Sequence, residues 1–355
     1  MKTIDGHTSA AIAKFSFFAT LLVVMCHADD IMCSGQVPFL VRFLGGSFSD
    51  ANVYNFFFLS GFLLARHYGE SNWWTDSLKK RVRTLLIPYA MWCVLYYVLV
   101  NASDFMCMQS TFDIAAGVGE LKGIFGLGLF TKPYNWVLWY VKSLFYFILL
   151  SPILFPALKK SSIKYLCSAT VVMFVLRAVA YRYKLEAIHY LSFNTHLLAL
   201  AAFMWGSQCS LHDIRFPAIL EKTKFIIPLA IWTVVAAAFV SIDNIYQDIG
   251  YIMAPINIAV SCFCLMWICF CSEKKIPDVL SKCSFFIYAS HIMVLRAIKS
   301  LWPTCASLFA YSVLVVATVA VSIGIAHIAY LVSPRFAELL SGGRFCKSNI
   351  SIERN

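Results

Sequence analysis

The chain has 355 residues, of which 60% are hydrophobic and only 13% are charged. A soluble domain of this length needs far more charge to cover its surface, and the mean hydropathy of +0.74 excludes that class. A formal net charge of +11 would suit a nucleic-acid-binding protein, but the placement of the charge along the chain points to membrane topology instead.

The apolar residues form ten blocks, many of them about 17–25 residues long, the length at which an α-helix spans a bilayer. The sequence therefore predicts an all-α, polytopic transmembrane helical bundle of about ten spans, with one membrane domain over residues 1–332 and a polar cytosolic tail over 333–355. The predicted spans are residues 10–27, 51–67, 84–101, 134–157, 165–181, 193–209, 225–241, 250–272, 284–300 and 305–332.

The lysines and arginines are distributed unevenly between the two sides of this bundle. With the N-terminus inside, 20 of the 29 fall on the inner side, six on the outer side and three within spans. Cationic residues near helix ends are retained in the cytoplasm. We therefore expect both termini to be cytoplasmic, in a plasma (inner) membrane, and we expect no nucleic-acid partner.

The first span ends at His27, and two acidic residues, Asp29 and Asp30, follow it. An ionisable side chain at the mouth of a membrane helix is costly to hold there and is a functional candidate. A neutral imidazole could remove a proton from a hydroxyl as it attacks a thioester, with Asp29 or Asp30 orienting the ring. A histidine that only caps the helix end or extends to the interface explains the same position, and both interpretations stay open.

The second span carries Ser60 and Gly61 among phenylalanines, where small residues usually permit close helix packing. A basic cluster with Lys80, Arg81 and Arg83 then precedes the third span. Arginine binds phosphate through paired hydrogen bonds, so this cluster could hold the nucleotide diphosphate of a donor. Positive charge that merely keeps the loop inside is the alternative.

The outer segment 102–133 contains a glycine-rich apolar stretch, Gly123 to Phe130. This stretch is too glycine-rich for a stable span and too apolar for a free loop. We expect it at the outer membrane surface or folded over the bundle as a lid. Cys33 and Cys107 both fall in outer segments and could form a disulfide in an oxidising compartment.

The sequence predicts no metal site. The cysteines of the eighth span lack both CxxC spacing and nearby histidine or acidic ligands, and they are interpreted as packed side chains. They are Cys262, Cys264, Cys269 and Cys271.

Polar residues also occur inside the fourth and ninth spans. Trp136 and Trp139 suit interfacial anchors, whereas Lys142, about two turns into its span, needs a partner or a water-filled cavity. Tyr288 and His291 lie about one turn apart and share a helix face. Both could line a polar cavity.

Taken together, these motifs resemble the acyltransferase 3 family of bacterial integral-membrane acyltransferases. The resemblance extends over most of the chain. It rests on His27 closing the first span, Phe56 to Phe62 in the second, Lys80-Arg81 through Pro88-Tyr89, Leu138-Trp139-Tyr140, and Ser284 to His291.

This resemblance implies transfer of an acyl group, usually acetyl, from cytosolic acyl-CoA to a hydroxyl of a surface polysaccharide or a lipid-linked sugar. It implies that His27 is catalytic, and of the two acidic residues that follow we predict Asp30 as its orienting residue. It assigns the donor, acetyl-CoA or another acyl-CoA, to Lys80, Arg81 and Arg83. The substrate path between them would be lined by Ser60, Trp139, Lys142, Tyr288 and His291.

Two other functions fit the same composition. A non-enzymatic transporter or flippase of a glycan or lipid-linked sugar would use Arg177 and Arg296, within spans, as substrate contacts. A polysaccharide polymerase would need a large outer loop for the glycan, which is not evident. Within the family pattern, the position of an arginine eleven residues before the histidine is Ser16 here, and Lys14 lies two residues earlier.

Overall fold

The computed structural model describes residues 6–32, 38–49, 52–100, 123–126, 133–184, 190–214, 222–245, 247–272, 274–302 and 307–344. Over these residues the protein is all-helical and contains no strand. Cys33 and Cys107, with most of the outer segment 102–133, lie outside the described residues.

Thirteen α-helices follow one another along the described chain. A π-helical turn, Phe43–Ser47, follows α2; a second, Val82–Leu86, joins α4 to α5; and a 3₁₀ turn, Trp136–Leu138, leads into α6. The helices are α1 (Gly6–Met32), α2 (Phe39–Arg42), α3 (Asn52–Ala65), α4 (Trp73–Arg81), α5 (Ile87–Val100), α6 (Trp139–Lys160), α7 (Ile163–Arg182), α8 (Tyr190–Leu211), α9 (Ile226–Ile245), α10 (Gln247–Phe270), α11 (Asp278–Leu301), α12 (Leu308–Val332) and α13 (Pro334–Leu340).

Seven helices of the described part are long and apolar enough to cross a membrane. Two shorter apolar helices, Val53–Ala65 and Ile226–Ile242, accompany them. Each of the ten predicted spans falls on one of the helices of the bundle. The count of ten spans and the cytoplasmic termini remain predictions.

Helix α3 packs unusually closely against α8 through a reciprocal pair of glycines. A Cβ atom added at Gly61 would lie 2.1 Å from the carbonyl oxygen of Phe203, and one at Gly206 would lie 1.9 Å from that of Phe58. Only glycine permits this approach of two backbones, as in other small-residue contacts between membrane helices. Because Gly61 faces α8, its neighbour Ser60 is turned toward α6.

Hydrogen bonds to backbone carbonyls join α1 to its neighbours. Lys14, a buried residue, donates to the carbonyl oxygen of Ser272, just beyond α10. Tyr311 of α12 donates from its hydroxyl to the carbonyl oxygen of Met25 at 3.0 Å. A polar group within a membrane protein needs such an internal partner. Lys14 therefore ties the start of α1 to the end of α10.

A short stretch of the outer segment, residues 123–126, inserts among the helices. Ile124 is buried, and the hydroxyl of Tyr89 donates to the carbonyl oxygen of Phe125 at 2.7 Å. Lys142 donates to the carbonyl oxygen of Gly126 at 2.9 Å. Residues 123–125 form a short helical turn, and the burial of Ile124 and Gly126 shows that this stretch packs into the bundle.

The chain turns back onto the bundle after α12. Helix α13 buries Ala337 and Leu340, and the indole of Trp92 on α5 donates to the carbonyl oxygen of Leu340 at 3.0 Å. The sequence predicts a polar tail from Ser333, and the structure shows that residues 334–344 of this segment pack against α5 and α12. Residues 345–355 lie outside the described part.

Candidate functional site

His27 lies near the C-terminal end of α1, with its side chain only 12% exposed. Its Nδ1 atom is 2.9 Å from a carboxylate oxygen of Asp30, one helical turn later. A carboxylate accepts, so Nδ1 carries the hydrogen and Nε2 keeps a lone pair able to take a proton. Asp29, the other predicted orienting residue, packs against Gly45 instead. The sequence analysis selects Asp30 of the two acidic residues as the partner of His27, and the structure places a carboxylate oxygen of Asp30 beside the ring.

Two aromatic rings enclose His27. The edge of the Trp136 ring meets it at a centroid distance of 4.7 Å, and the imidazole of His291 stacks on it at 5.3 Å with an interplanar angle of 18°. Trp136 precedes α6 and His291 lies in the middle of α11. Three separate segments of the chain therefore meet at the imidazole of His27.

His291 is completely buried. Its Nδ1 atom lies 2.5 Å from the carbonyl oxygen of Tyr288, which can only accept, so Nδ1 donates. The Nε2 atom is then an acceptor, and it has no hydrogen-bond partner among the described residues. A buried acceptor without a partner is unusual in a protein interior, and a substrate hydroxyl is a group that would satisfy it.

A line of tyrosines continues from His291 into the bundle. The Tyr288 ring lies 6.1 Å from that of His291, and the Tyr140 ring lies 5.8 Å from Tyr288 at an interplanar angle of 83°. Tyr288 donates from its hydroxyl to the carbonyl oxygen of Val137. The hydroxyls of Tyr140 and Ser60 are 3.1 Å apart. Because Gly61 packs against α8, the rotation of α3 is fixed, and this rotation directs the Ser60 side chain toward Tyr140.

Two arginines approach the Tyr140 hydroxyl from the opposite end of the line. Arg81, at the end of α4, and Arg344, beyond α13, both interact electrostatically with Tyr140. Burial, together with the Arg81 guanidinium, lowers the pKa of Arg344 to about 10, so that it remains charged at neutral pH. The π-helical turn and Pro88 lie directly after Arg81, and π-helical turns frequently accompany functional sites.

The predicted site residues divide into those that join this line and those that do not. Ser60, Arg81, Tyr288, His291 and His27 are connected by the contacts above. Lys80 and Arg83 lie on the exposed surface at the same end as Arg81.

The other two predicted path residues, Trp139 and Lys142, contact residues outside this line. The ring of Trp139 lies 5.6 Å from that of His196 on α8 and 5.7 Å from that of Phe57 on α3. Lys142 donates to the carbonyl oxygen of Gly126, so its ammonium stabilises the inserted stretch 123–126. The sequence analysis required either a partner or a water-filled cavity for this ammonium, and the structure supplies a partner at Gly126. The assignment of Lys142 to the substrate path stays a prediction.

Sequence reasoning missed Arg344 and Tyr140 as members of the site. Tyr140 belongs to the motif Leu138-Trp139-Tyr140 of the sequence analysis, whereas Arg344 lies in the segment predicted as a cytosolic tail. The only sequence signal for Arg344 is the pair Gly342-Gly343 directly before it. Both glycines adopt left-handed backbone conformations, with φ of 65° and 82°.

One group of potential metal ligands occurs in the described residues. Ligand atoms of Cys26, His27 and Asp30 lie within 4.8 Å of one another, and no fourth histidine, cysteine or acidic residue of the described part joins them. A structural zinc site uses four protein ligands and a catalytic one uses three. The sequence-based expectation of no metal site stays a prediction.

A family model for an acyltransferase domain, that of the acyltransferase 3 family, matches residues 17–327. The matched range includes every residue of the line from Arg81 to His27 and ends before Arg344. No curated protein and no solved structure gives a significant match to the chain.

Proposed function

The chain belongs to the acyltransferase 3 family, and from this membership we propose that it is a membrane O-acyltransferase for cell-surface glycans. It transfers an acetyl or other short acyl group from cytosolic acyl-CoA to a hydroxyl of a polysaccharide or a lipid-linked sugar. The protein is a membrane acyltransferase in its general class; the donor, the acceptor and the plasma-membrane location are the proposal.

The observation that carries the proposal is the line of side chains between the two ends of the site. Arg81 and Tyr140 interact at one end, Tyr288 and His291 follow, and His27 with its carboxylate stands at the other. A donor held by its phosphates near Arg81 would extend its thioester along this line toward His27. An acceptor on the opposite face of the membrane would reach the same imidazole.

The arrangement at His27 supports general base catalysis. Asp30 holds the ring with Nδ1 protonated, and Nε2 takes the proton of the acceptor hydroxyl. The hydroxyl oxygen attacks the thioester carbonyl, a C–O bond forms and the C–S bond breaks. The sulfur of CoA leaves and takes the proton back from His27, so that free CoA and the ester are the products.

His291 has a separate part in this proposal. Its Nε2 atom has no protein donor among the described residues and lies on the ring that stacks on His27. A sugar carries several neighbouring hydroxyls. One of them can donate to His291 while the next one is deprotonated by His27, which would orient the attacking oxygen.

Labelled acetyl-CoA tests the proposal directly. Membranes containing the protein are incubated with acetyl-CoA carrying an isotopic label in its acetyl group, and surface glycan is then analysed by mass spectrometry. We expect labelled ester on the glycan, and none in membranes that lack the protein. Glycan that crosses the membrane in a protein-dependent manner without ever acquiring label would instead establish the transporter.

A further inference from the structure

The segment that follows α12 folds into a defined structure. Residues 333–344, here called the C-terminal hook, begin with α13 and end at Arg344. The hook is anchored by the hydrogen bond from Trp92 to Leu340 and by the burial of Ser341. Gly342 packs so closely that an added Cβ atom would lie 2.2 Å from the carbonyl oxygen of Thr84. The hook is therefore part of the bundle.

The two left-handed glycines of the hook direct Arg344 inward. Its guanidinium carbon lies 4.7 Å from the ring centroid of Phe285 on α11, a cation–π contact. Its Nη1 atom donates to the carbonyl oxygen of Ser341 at 2.7 Å. The chain thus places the charge of Arg344 beside the start of the tyrosine line rather than in solvent.

Arg344 and Arg81 form a positive pair with no carboxylate partner in the part of the chain that the structure describes. The charge of Arg81 acts on Arg344, and both arginines act on Tyr140. Among the described residues, no carboxylate lies within salt-bridge distance of either guanidinium. Two partly buried like charges repel each other and lose hydration, so the pair is suited to an anion that arrives with a ligand.

We propose that Arg344 is the second guanidinium of the donor site and, together with Arg81, binds the phosphate groups of CoA. This inference rests on the proposed function and adds to it a residue outside the matched domain. Two guanidinium groups can each make paired hydrogen bonds to the oxygens of a diphosphate. The exposed Lys80 and Arg83 at the same end add attraction at longer range.

The test measures thermal unfolding of the purified full-length protein against increasing concentrations of CoA. The variants are Arg344→Ala, Arg344→Lys and, as a control from the same hook, Arg335→Ala, which removes an exposed arginine. We expect apparent CoA affinity to fall about tenfold or more in Arg344→Ala, because a charged hydrogen-bond donor is lost. Arg344→Lys should lose less, and Arg335→Ala should stay within about twofold of the wild type.

Pantetheine, which carries no phosphate, separates phosphate binding from a merely structural role. If Arg344 only holds the hook in place, its loss weakens pantetheine and CoA alike, and that result overturns the inference. If Arg344 binds phosphate, pantetheine affinity is unchanged in Arg344→Ala while CoA affinity falls. This comparison holds even if Arg344→Ala unfolds at a lower temperature than the wild type, because the affinities for CoA and for pantetheine are compared in the same variant.

The experiment also distinguishes this inference from the function on which it rests. Wild-type protein that CoA fails to stabilise at any concentration would contradict the proposed donor itself. Wild-type and Arg344→Ala proteins that CoA stabilises equally would contradict only the assignment of Arg344.

Discussion

Two histidines of the described chain are each paired with a carboxylate three residues later, and one of them, His27, stands in the candidate site. His27 pairs with Asp30 at 2.9 Å, and His67 pairs with Glu70 at 3.2 Å. The side chain of His27 is 12% exposed, whereas that of His67 is 35% exposed.

The surroundings of the two pairs differ more than the pairs themselves. His27 is enclosed by Trp136 and His291 and begins a line of polar aromatic side chains. His67 lies in the turn between α3 and α4 and has neither neighbour. A histidine–carboxylate pair at helical spacing is therefore weak evidence for catalysis. The enclosing rings, and the line of side chains that leads away from His27, support the assignment.

The largest predicted effect comes from removing the first imidazole. His27→Ala should lower the rate of acetyl transfer about 10²- to 10⁴-fold, the usual contribution of a general base. The rate is measured in membranes at matched protein levels, from labelled acetyl-CoA into surface glycan. His67→Ala is the matched control and should leave the rate within about twofold. Equal rates in the two variants would remove the distinction between the pairs.

Neutralising Asp30 should lower the activity more than neutralising Glu70, but the difference in activity should be smaller than that between the two histidine variants. Asp30→Asn replaces a charged hydrogen bond to His27 by a neutral one; because the Asp30 side chain is 57% exposed, the loss lies at the low end of the range for charged hydrogen bonds, about 1.5 kcal/mol, or about tenfold in kcat/KM. Glu70→Gln should have no measurable effect. An Asp30→Asn enzyme with unchanged kcat/KM would show that the ring is oriented by its aromatic neighbours alone.

The smallest predicted effect lies further along the line. Tyr140→Phe removes the hydroxyl that contacts Ser60 at 3.1 Å and leaves the ring packing in place. Loss of one hydrogen bond, about 1 kcal/mol, predicts about a fivefold fall in rate. Tyr165→Phe, on the exposed surface of α7, is the control. A rate unchanged by Tyr140→Phe would argue that the donor does not pass this hydroxyl.

Contacts within one helix were accessible from the sequence. Helical spacing places Asp30 one turn after His27, and the same spacing places Tyr288 and His291 on one face of α11. Each of the ten apolar blocks likewise falls on a helix of the described part, and the count of ten spans stays a prediction. These inferences need only the period of an α-helix and the length of a membrane span, which are local properties of the chain.

Contacts between distant segments were not accessible in this way. The hydrogen bond that anchors the hook joins residues 248 positions apart, Trp92 and Leu340. Nothing in the composition of the last residues distinguishes a packed hook from a solvated tail. The partner of Lys142 could not be predicted from the sequence either. It is Gly126, in an apolar glycine-rich segment whose composition fits both the membrane surface and a lid over the bundle.

The sidedness of the reaction tests the central claim most directly. Right-side-out membrane vesicles are prepared with labelled acetyl-CoA either enclosed within them or added outside, and label on the outward-facing glycan is measured. The account predicts label only when acetyl-CoA is enclosed, on the side predicted for Arg81 and Arg344, and its loss in His27→Ala vesicles. Equal labelling from acetyl-CoA added outside, undiminished in His27→Ala, would contradict it.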